Sequence, residues 1–349
     1  MNISCPSCRC RQVSILFFLT SMLLSSAGQT LAAEIMEGQG PVPVRNYQPI
    51  QGLSLQMPGE SAIPVSRGEF MIRGDFAETS TIIRDSNTGV NAVLKLNQLR
   101  SALDIRYGAM ENTEVGIEVI SRYNHSGALD GLITATERLF DRSAPIREQL
   151  KHQGFTYVLA RNGQPLLQGT NGAFGLSDTV VYTKTLLFVE STYLPAIALR
   201  TAIKVPIGDK SRAFGTGVAD LGVGLVLQKT VWNRVVFYLN VNQMLPTGHY
   251  LDLALRAYWT AMSGVEFMIT PKFSVVGQFD YYQSPFGRTG SNGLDNGVTE
   301  AVLAFGCRMS QDFLLQVYGV ENLDLIRDSA PDFTLGMVLT YRLPQNHRL

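Results

Sequence analysis

The chain has 349 residues, with 29 Lys+Arg against 29 Asp+Glu and a hydrophobic fraction of 45 %. That balance argues against a nucleic-acid partner, which requires a clustered basic face. Length and apolar content fit one or two soluble domains as well as a membrane protein, so the pattern along the chain has to decide.

The first 33 residues read as an export leader. Arg9 and Arg11 precede the apolar run from Val13 to Leu24, and small residues follow at Ser25, Ser26, Ala27, Ala32 and Ala33. This is the order of a secretory signal peptide, and the run falls short of the ~18 residues a spanning helix needs. Cleavage is expected after Ala33 or Ala32, with Ala27 as the alternative. The leader holds two arginines and no acid, so the remainder carries 27 Lys+Arg against 29 Asp+Glu, a net of −2. Cys5, Cys8 and Cys10 have a metal-like spacing but leave with the leader. Only Cys307 stays, which excludes an intrachain disulfide and a thiolate metal site. No cofactor or metal is expected.

Residues 34–66 carry Pro41, Pro43, Pro49, Pro58 and Pro64, which predicts an extended, irregular segment. Its prolines deny it ladder hydrogen bonds, so it adds no strand. The expected place is the periplasmic rim, reaching into a barrel mouth, with Arg45 and Asn46 as donors for Glu114 or Glu118.

From residue 69 the dominant period is two. Ile197, Leu199, Thr201, Ile203 and Val205 alternate with Ala198, Arg200, Ala202 and Lys204, and Leu221, Val223, Leu225 and Leu227 alternate with Asp220, Gly222, Gly224 and Gln228. Alternation over about ten residues is what a tilted membrane-spanning strand requires, because successive side chains face lipid and lumen in turn. Strands are predicted at 67–77, 91–107, 114–122, 177–188, 194–205, 218–229, 235–243, 251–269, 273–282, 299–309, 312–322 and 332–343. The connectors between them alternate short and long, which is the outer-membrane arrangement of short periplasmic turns and longer outer loops. The even count supports it. Two strands fit less well. In the second, Leu94 and Leu96 lie on the opposite parity from Leu103, Ile105 and Tyr107, which calls for a bulge near Asn97–Gln98 or an upper half standing clear of the membrane. The segment 251–269 is long, and its first half is open to a helical reading.

The largest connector, 123–176, is expected to be an outer insertion. It has a short helical period at Leu132, Ala135, Thr136 and Leu139, and a hairpin signal at Asn162–Gly163. Beyond the last strand, Pro344 to Leu349 form a tail.

Motifs for catalysis are missing: there is no phosphate-binding loop, nucleophile elbow or zinc-protease signature. His249 with Asp252, or His125 with Ser126, are the pairs an outer-rim lipid hydrolase would recruit, and solvated loop histidines are the plainer reading. The predicted inner face is the more informative feature. Asp104, Arg106, Glu114, Glu118, Arg200, Lys204, Asp220, Glu266, Asp280 and Arg308 are the candidate lumen-lining residues. Arg73, Asp75, Arg122, Arg256, Glu300 and Arg342 share that face. The signs are mixed, which fits an interior laced with ion pairs and partly filled better than a pore ringed by one sign. Aromatics near strand ends, among them Tyr107, Tyr193, Trp232, Trp259, Phe273, Tyr281, Tyr282, Phe313 and Tyr341, suit two interfacial girdles.

Several stretches resemble a known family. They are Gly40-Pro41-Val42-Pro43-Val44-Arg45-Asn46-Tyr47-Gln48-Pro49, Asp104-Ile105-Arg106-Tyr107-Gly108, Glu114-Val115-Gly116-Ile117-Glu118, Gly175-Leu176-Ser177-Asp178, Lys204-Val205-Pro206-Ile207-Gly208-Asp209 and Asp332-Phe333-Thr334-Leu335-Gly336. They look like domain of unknown function thirty-one eighty-seven, an uncharacterised bacterial family regarded as outer-membrane-barrel-like. The resemblance implies a signal peptide and a barrel and brings no catalytic or ligand residues. The chain departs from many outer-membrane barrels at its end, where a tail runs past Tyr341-Arg342-Leu343 in place of a terminal aromatic residue.

The sequence therefore predicts an all-β fold: an antiparallel transmembrane β-barrel of about 12 strands (range 10–14) over residues 67–343, in the outer membrane of a Gram-negative-type cell. The expected function is a passive channel or transport-type barrel, not an enzyme, with the solute undetermined. A non-conducting structural or adhesive barrel is the alternative, and a lipid-acting hydrolase comes third. Expected partners are outer-membrane lipid and the barrel-insertion machinery.

Overall fold

The computed structural model describes residues 38–85, 89–127, 154–323 and 330–343. The predicted leader, the helical period at Leu132–Leu139 and the tail lie outside them.

The alternating segments form strands because one parity is apolar and the other is small, polar or charged, so each strand needs two different environments on its two faces. In chain order they are β1 (Phe70–Arg84), β2 (Val90–Met110), β3 (Thr113–His125), β4 (Thr156–Arg161), β5 (Gln164–Gln168), β6 (Ala173–Leu176), β7 (Thr179–Phe188), β8 (Ala196–Val205) and β9 (Asp220–Val231). They continue with β10 (Val235–Pro246), β11 (His249–Tyr250), β12 (Leu253–Ala254), β13 (Tyr258–Met268), β14 (Phe273–Tyr282), β15 (Val298–Arg308), β16 (Phe313–Asn322) and β17 (Phe333–Leu343). Twelve of these close an antiparallel barrel. The last strand seals against the first, with Phe70 opposite Leu343 and Ser80 opposite Phe333. Short turns at 111–112, 232–234, 269–272 and 309–312 lie on one rim with both ends of the barrel chain, and the longer loops lie on the other.

Side-chain burial follows the predicted parity. In β8 the residues Ala198, Arg200, Ala202 and Lys204 are buried, whereas Thr201, Ile203 and Val205 are exposed. Leu225 and Phe237 are typical of the outer belt, at 45 % and 44 % exposure. Aromatic pairs stand at both ends of the belt. Phe70 with Tyr107 (4.7 Å between centroids) and Phe313 with Tyr341 (4.5 Å) lie toward the short-turn rim, and Trp259 with Tyr281 (4.7 Å) lies toward the long-loop rim. Tyr282 does not join a girdle: its parity turns it inward, and it is buried.

Three local readings need correction. No bulge interrupts β2 at Asn97–Gln98, since its register with β1 runs unbroken from Val93 to Tyr107. The parity change is instead one of environment. The upper half of β2 leaves β3 and pairs with β4, and Leu94 and Leu96 face an apolar cluster rather than the polar lumen. The connector between β1 and β2 is correspondingly short, because β1 continues to Arg84. The third correction is at 251–269, where the spanning strand begins only at Tyr258. The preceding residues are neither helix nor strand wall but the small β11–β12 hairpin, turned by Leu251 at φ 51°. The hairpin signal at Asn162–Gly163 does form the β4–β5 turn. Both residues have positive φ, 50° and 79°, which a two-residue turn of that hand requires.

Candidate functional site

Residues 38–66, called the strap below, do not stop at the rim. They pass through the barrel. Gln39 Nε2 donates to the Lys272 carbonyl in a short turn at 3.0 Å, so the strap enters on that rim. It climbs to a single helical turn at Gln51–Leu53, where Gln48 and Gln51 donate to the Gly293 carbonyl in the long β14–β15 loop. It then descends to Ser66 and Arg67, beside Gly108 at the short-turn rim. Proline and lack of periodicity make the strap a poor strand, and an enclosed wall of polar side chains supplies the hydrogen bonds that a ladder would have given.

The strap carries one base and one acid, Arg45 and Glu60, and both are buried against wall charges of opposite sign. Arg45 meets Glu118 at 2.5 Å, as the sequence had offered. Glu118 also takes Arg100 at 2.8 Å, which in turn holds Asp75 at 2.7 Å. Asn46 bonds instead within the strap, to Gln51 and Gln48. Glu60 sits among four cations: Arg106, in direct contact, Lys184 at 3.3 Å, Arg73 at 3.6 Å and Arg200 at 3.9 Å. Burial alone would push its carboxyl up, but those four cations hold it well below the ordinary carboxylate range. Asp104 (2.7 Å from Arg106) and Glu114 (3.1 Å from Lys184) complete the network, and the Arg106 guanidinium lies 5.4 Å from the Tyr182 ring centre.

Higher in the lumen Lys204 bridges Asp178 and Asp220, each at 3.0 Å, and donates to the Leu53 carbonyl at 3.2 Å. Near the entrance Glu266 accepts from the Gln39 and Gly40 amides at 3.0 and 3.2 Å, and from Tyr238 at 2.7 Å. Gln278 links Asp280 to the Val42 carbonyl. Tyr47 and Tyr318 share a 2.7 Å hydroxyl contact, and burial keeps the Tyr47 hydroxyl protonated far above its ordinary range. Two spaces beside the strap, one bordered by Arg45, Arg100, Arg122 and Lys204 and one beneath Glu60, are each about 20 Å³, room for a water molecule.

Of the ten candidate lumen residues, nine are buried inside the barrel. Asp104, Arg106, Glu114, Glu118, Arg200, Lys204 and Asp220 form the ion-pair networks, Asp220 and Glu266 also accept strap amides, and Asp280 accepts from Gln278, which in turn holds the Val42 carbonyl. Arg308 stands apart, half-buried at the short-turn end of β15. The sequence reading missed Arg100, Lys184, Asp178 and Glu60. Arg100 has the parity of Asp104 and Arg106 and was readable. Lys184 was hidden because it shares a parity with Val180, Tyr182 and Leu186 while the other parity carries three threonines, so β7 shows no clear polar face. Glu60 belongs to a segment that had been read only for its prolines.

The two candidate histidines both lie toward the long-loop rim. His125 Nε2 lies 2.9 Å from Glu78, and the Ser126 hydroxyl accepts from Asn171 at 3.5 Å. His249 lies in the β11–β12 hairpin.

Above the strap's turn the mouth is apolar. Ile50 and Leu53 pack with Ile83, Leu94, Leu96, Tyr157, Leu167, Tyr250, Phe286 and Leu294, drawn from β1, β2, the β4–β5 hairpin and two long loops.

Among solved structures, the chain is similar to the COG4313 outer membrane channel from Pseudomonas putida F1. The TM-score is 0.55 at 10 % identity, over 81 % of this chain and 98 % of that one. It is more distantly similar to the NanC porin (TM-score 0.44, 10 % identity, 78 % and 100 % covered) and the KdgM porin (0.40, 7 %, 77 % and 98 %). At such identities the first likeness speaks for the barrel fold, and the other two carry no argument. A comparison with curated proteins finds no match. A family model described as "Protein of unknown function (DUF3187)" matches residues 17–343, and the chain belongs to that family.

Proposed function

We propose that the protein is an outer-membrane channel of the transport type, closed from the periplasmic side by its own N-terminal strap. In this reading the leader is removed on export, the apolar belt faces outer-membrane lipid, and the short-turn rim faces the periplasm. The carrying observation is the chemistry of the interface between wall and strap. A barrel filled for stability alone would do best with apolar side chains, because a buried ion pair is often no better than a hydrophobic replacement. Here ion pairs and hydrogen bonds run the length of the contact, interleaved with apolar patches where Val42 and Val44 meet Val276 and Val302, and Leu55 and Met57 meet Val180 and Met244. Each neutral hydrogen bond has a net worth of only about 0.5–1.5 kcal/mol, and each bond to a charged group about 1.5–3 kcal/mol, once water can replace it. With the strap withdrawn, the wall offers water its charged and polar groups between those apolar patches. Planar-bilayer recording tests the reading: full-length protein should show little current, and a variant lacking residues 38–62 should insert and conduct steadily. Insertion without current would leave the second reading, a non-conducting structural barrel, which the apolar seal at the mouth favours.

A further inference from the structure

The wall holds the strap mainly by its main chain. Glu266, Asp220 and Glu114 accept amide N–H groups of the strap, those of Gln39 and Gly40, Leu55 and Val65, with Asp220 at 2.8 Å and Glu114 at 2.6 Å. Arg122, Lys204 and Arg200 donate to the carbonyls of Gly52 (2.7 Å), Leu53 (3.2 Å) and Pro58 (2.7 Å). At these six wall positions carboxylates meet amides and cations meet carbonyls, so their signs follow from what they bind. An ion-selective pore would favour one sign. A neutral sugar presents hydroxyls that donate and accept alike, and would need no such sorting. An extended polypeptide alternates an obligatory donor with an obligatory acceptor along its length. None of these contacts uses a side chain of the strap.

We infer that the lumen is a binding site for extended peptide main chain, and that the solutes of this barrel are peptides that take the strap's place. The inference rests on the transport reading above and names its substrate class. Selectivity enters where strap side chains meet the wall: Glu118 favours a base at the position of Arg45, and the mouth favours apolar residues at those of Ile50 and Leu53. The four cations around Glu60 favour a peptide with an acidic residue there.

Peptide exchange in the intact barrel tests this. A protease recognition sequence is inserted between Ile63 and Pro64, where Ile63 is exposed, and the full chain is folded in detergent and then cut. The strap thereby becomes a non-covalent ligand. The same insertion between Ser66 and Arg67 serves if the first fails to fold. A fluorescent peptide of sequence 38–63 is exchanged in and followed by anisotropy. A peptide of equal length with different side chains, but with Arg, Ile, Leu and Glu kept at the positions of Arg45, Ile50, Leu53 and Glu60, should compete within about tenfold of the strap peptide. N-methylation at the amides of Gln39, Gly40 and Leu55 should weaken binding by about 100-fold or more, since three charge-assisted bonds are lost. The inference is overturned if only the strap's own sequence competes, if N-methylation has no effect, if a linear neutral oligosaccharide competes as well, or if the cut strap never exchanges. The assay needs no current, so a barrel that exchanges peptides yet does not conduct would remove the transport reading and leave the peptide site standing.

Discussion

Two regions of the interior differ in how they are filled. Through most of the lumen the wall meets the strap with carboxylates, guanidiniums, amides and hydroxyls, from Glu266 at the entrance to Lys204 near the top, with small apolar clusters at Val42, Val44 and Tyr47 and at Leu55 and Met57 between them. At the long-loop mouth, Ile50 and Leu53 of the strap's turn are packed among Leu94, Tyr250, Phe286 and Leu294. Water can take over the first kind of contact at small net cost. It cannot take over the second, where each exposed apolar Å² costs roughly 25 cal/mol. The strap thus has limbs held by polar contacts interleaved with small apolar clusters, and a mainly apolar latch that resists release. Closure is a property of the latch and the limbs together.

The largest expected effect lies in the polar region. Glu60→Ala leaves Arg106, Lys184, Arg73 and Arg200 facing one another without their shared anion, and should destabilise the seated strap by about 3–5 kcal/mol. The measurement is open time in planar bilayers, and an unchanged closed state would mean the network does not hold the strap. At the mouth, Leu94→Ala removes buried methyl groups from a packed cluster and should cost about 2–5 kcal/mol, read as a lower unfolding midpoint in detergent. A loss below about 0.5 kcal/mol would show that the mouth is loosely packed and that the contrast between the regions is wrong. Outside both regions, Leu225→Arg places a charge on the outer belt and should cost about 2–4 kcal/mol of membrane insertion, visible as reduced folding into liposomes. Wild-type yield from that variant would mean the belt does not face lipid.

The pH dependence is the smallest effect. The Glu60 carboxyl is held below its ordinary range, so its contribution is fully present above the unfolded carboxylate pKa and is lost only as pH falls through the lower, folded value. The part of the strap's hold that Glu60 supplies should therefore persist through mild acidity and be lost only below the usual carboxylate range. A difference between wild type and Glu60→Gln that already vanishes at about pH 5–6 would contradict the role given to Glu60.

The barrel was largely legible in the sequence because alternation is a local signal. Arg200 and Lys204 among apolar neighbours state their own facing, and the connector lengths supply the rims. The strap's course was not legible, because it depends on the whole inner wall. Nothing in residues 38–66 repeats, and prolines remove the ladder bonds by which a strand is recognised. One signal was available. A segment of that length with only Arg45 and Glu60 as charges, and with Val42, Val44, Ile50, Leu53, Leu55 and Met57 besides, is too apolar for a solvated linker. The upper half of β2 misled for a related reason. Leu94 and Leu96 face inward like Asp104 and Arg106, but the loops above them change what inward means. Parity gives the face, and only the tertiary structure gives its surroundings.

The central claim, that the seated strap closes the barrel, can be tested by fixing it in place. A β-carbon at Gly222 on the inner face of β9 would lie 2.5 Å from Met57 Sδ, so Met57→Cys with Gly222→Cys, in a Cys307→Ser background, brings two thiols together across the interface. Single-channel recording of this variant should give no openings when oxidised, and openings of wild-type amplitude, more frequent than in the oxidised state, once a thiol reductant is added. Equal current in both states, or silence in both, would contradict the account.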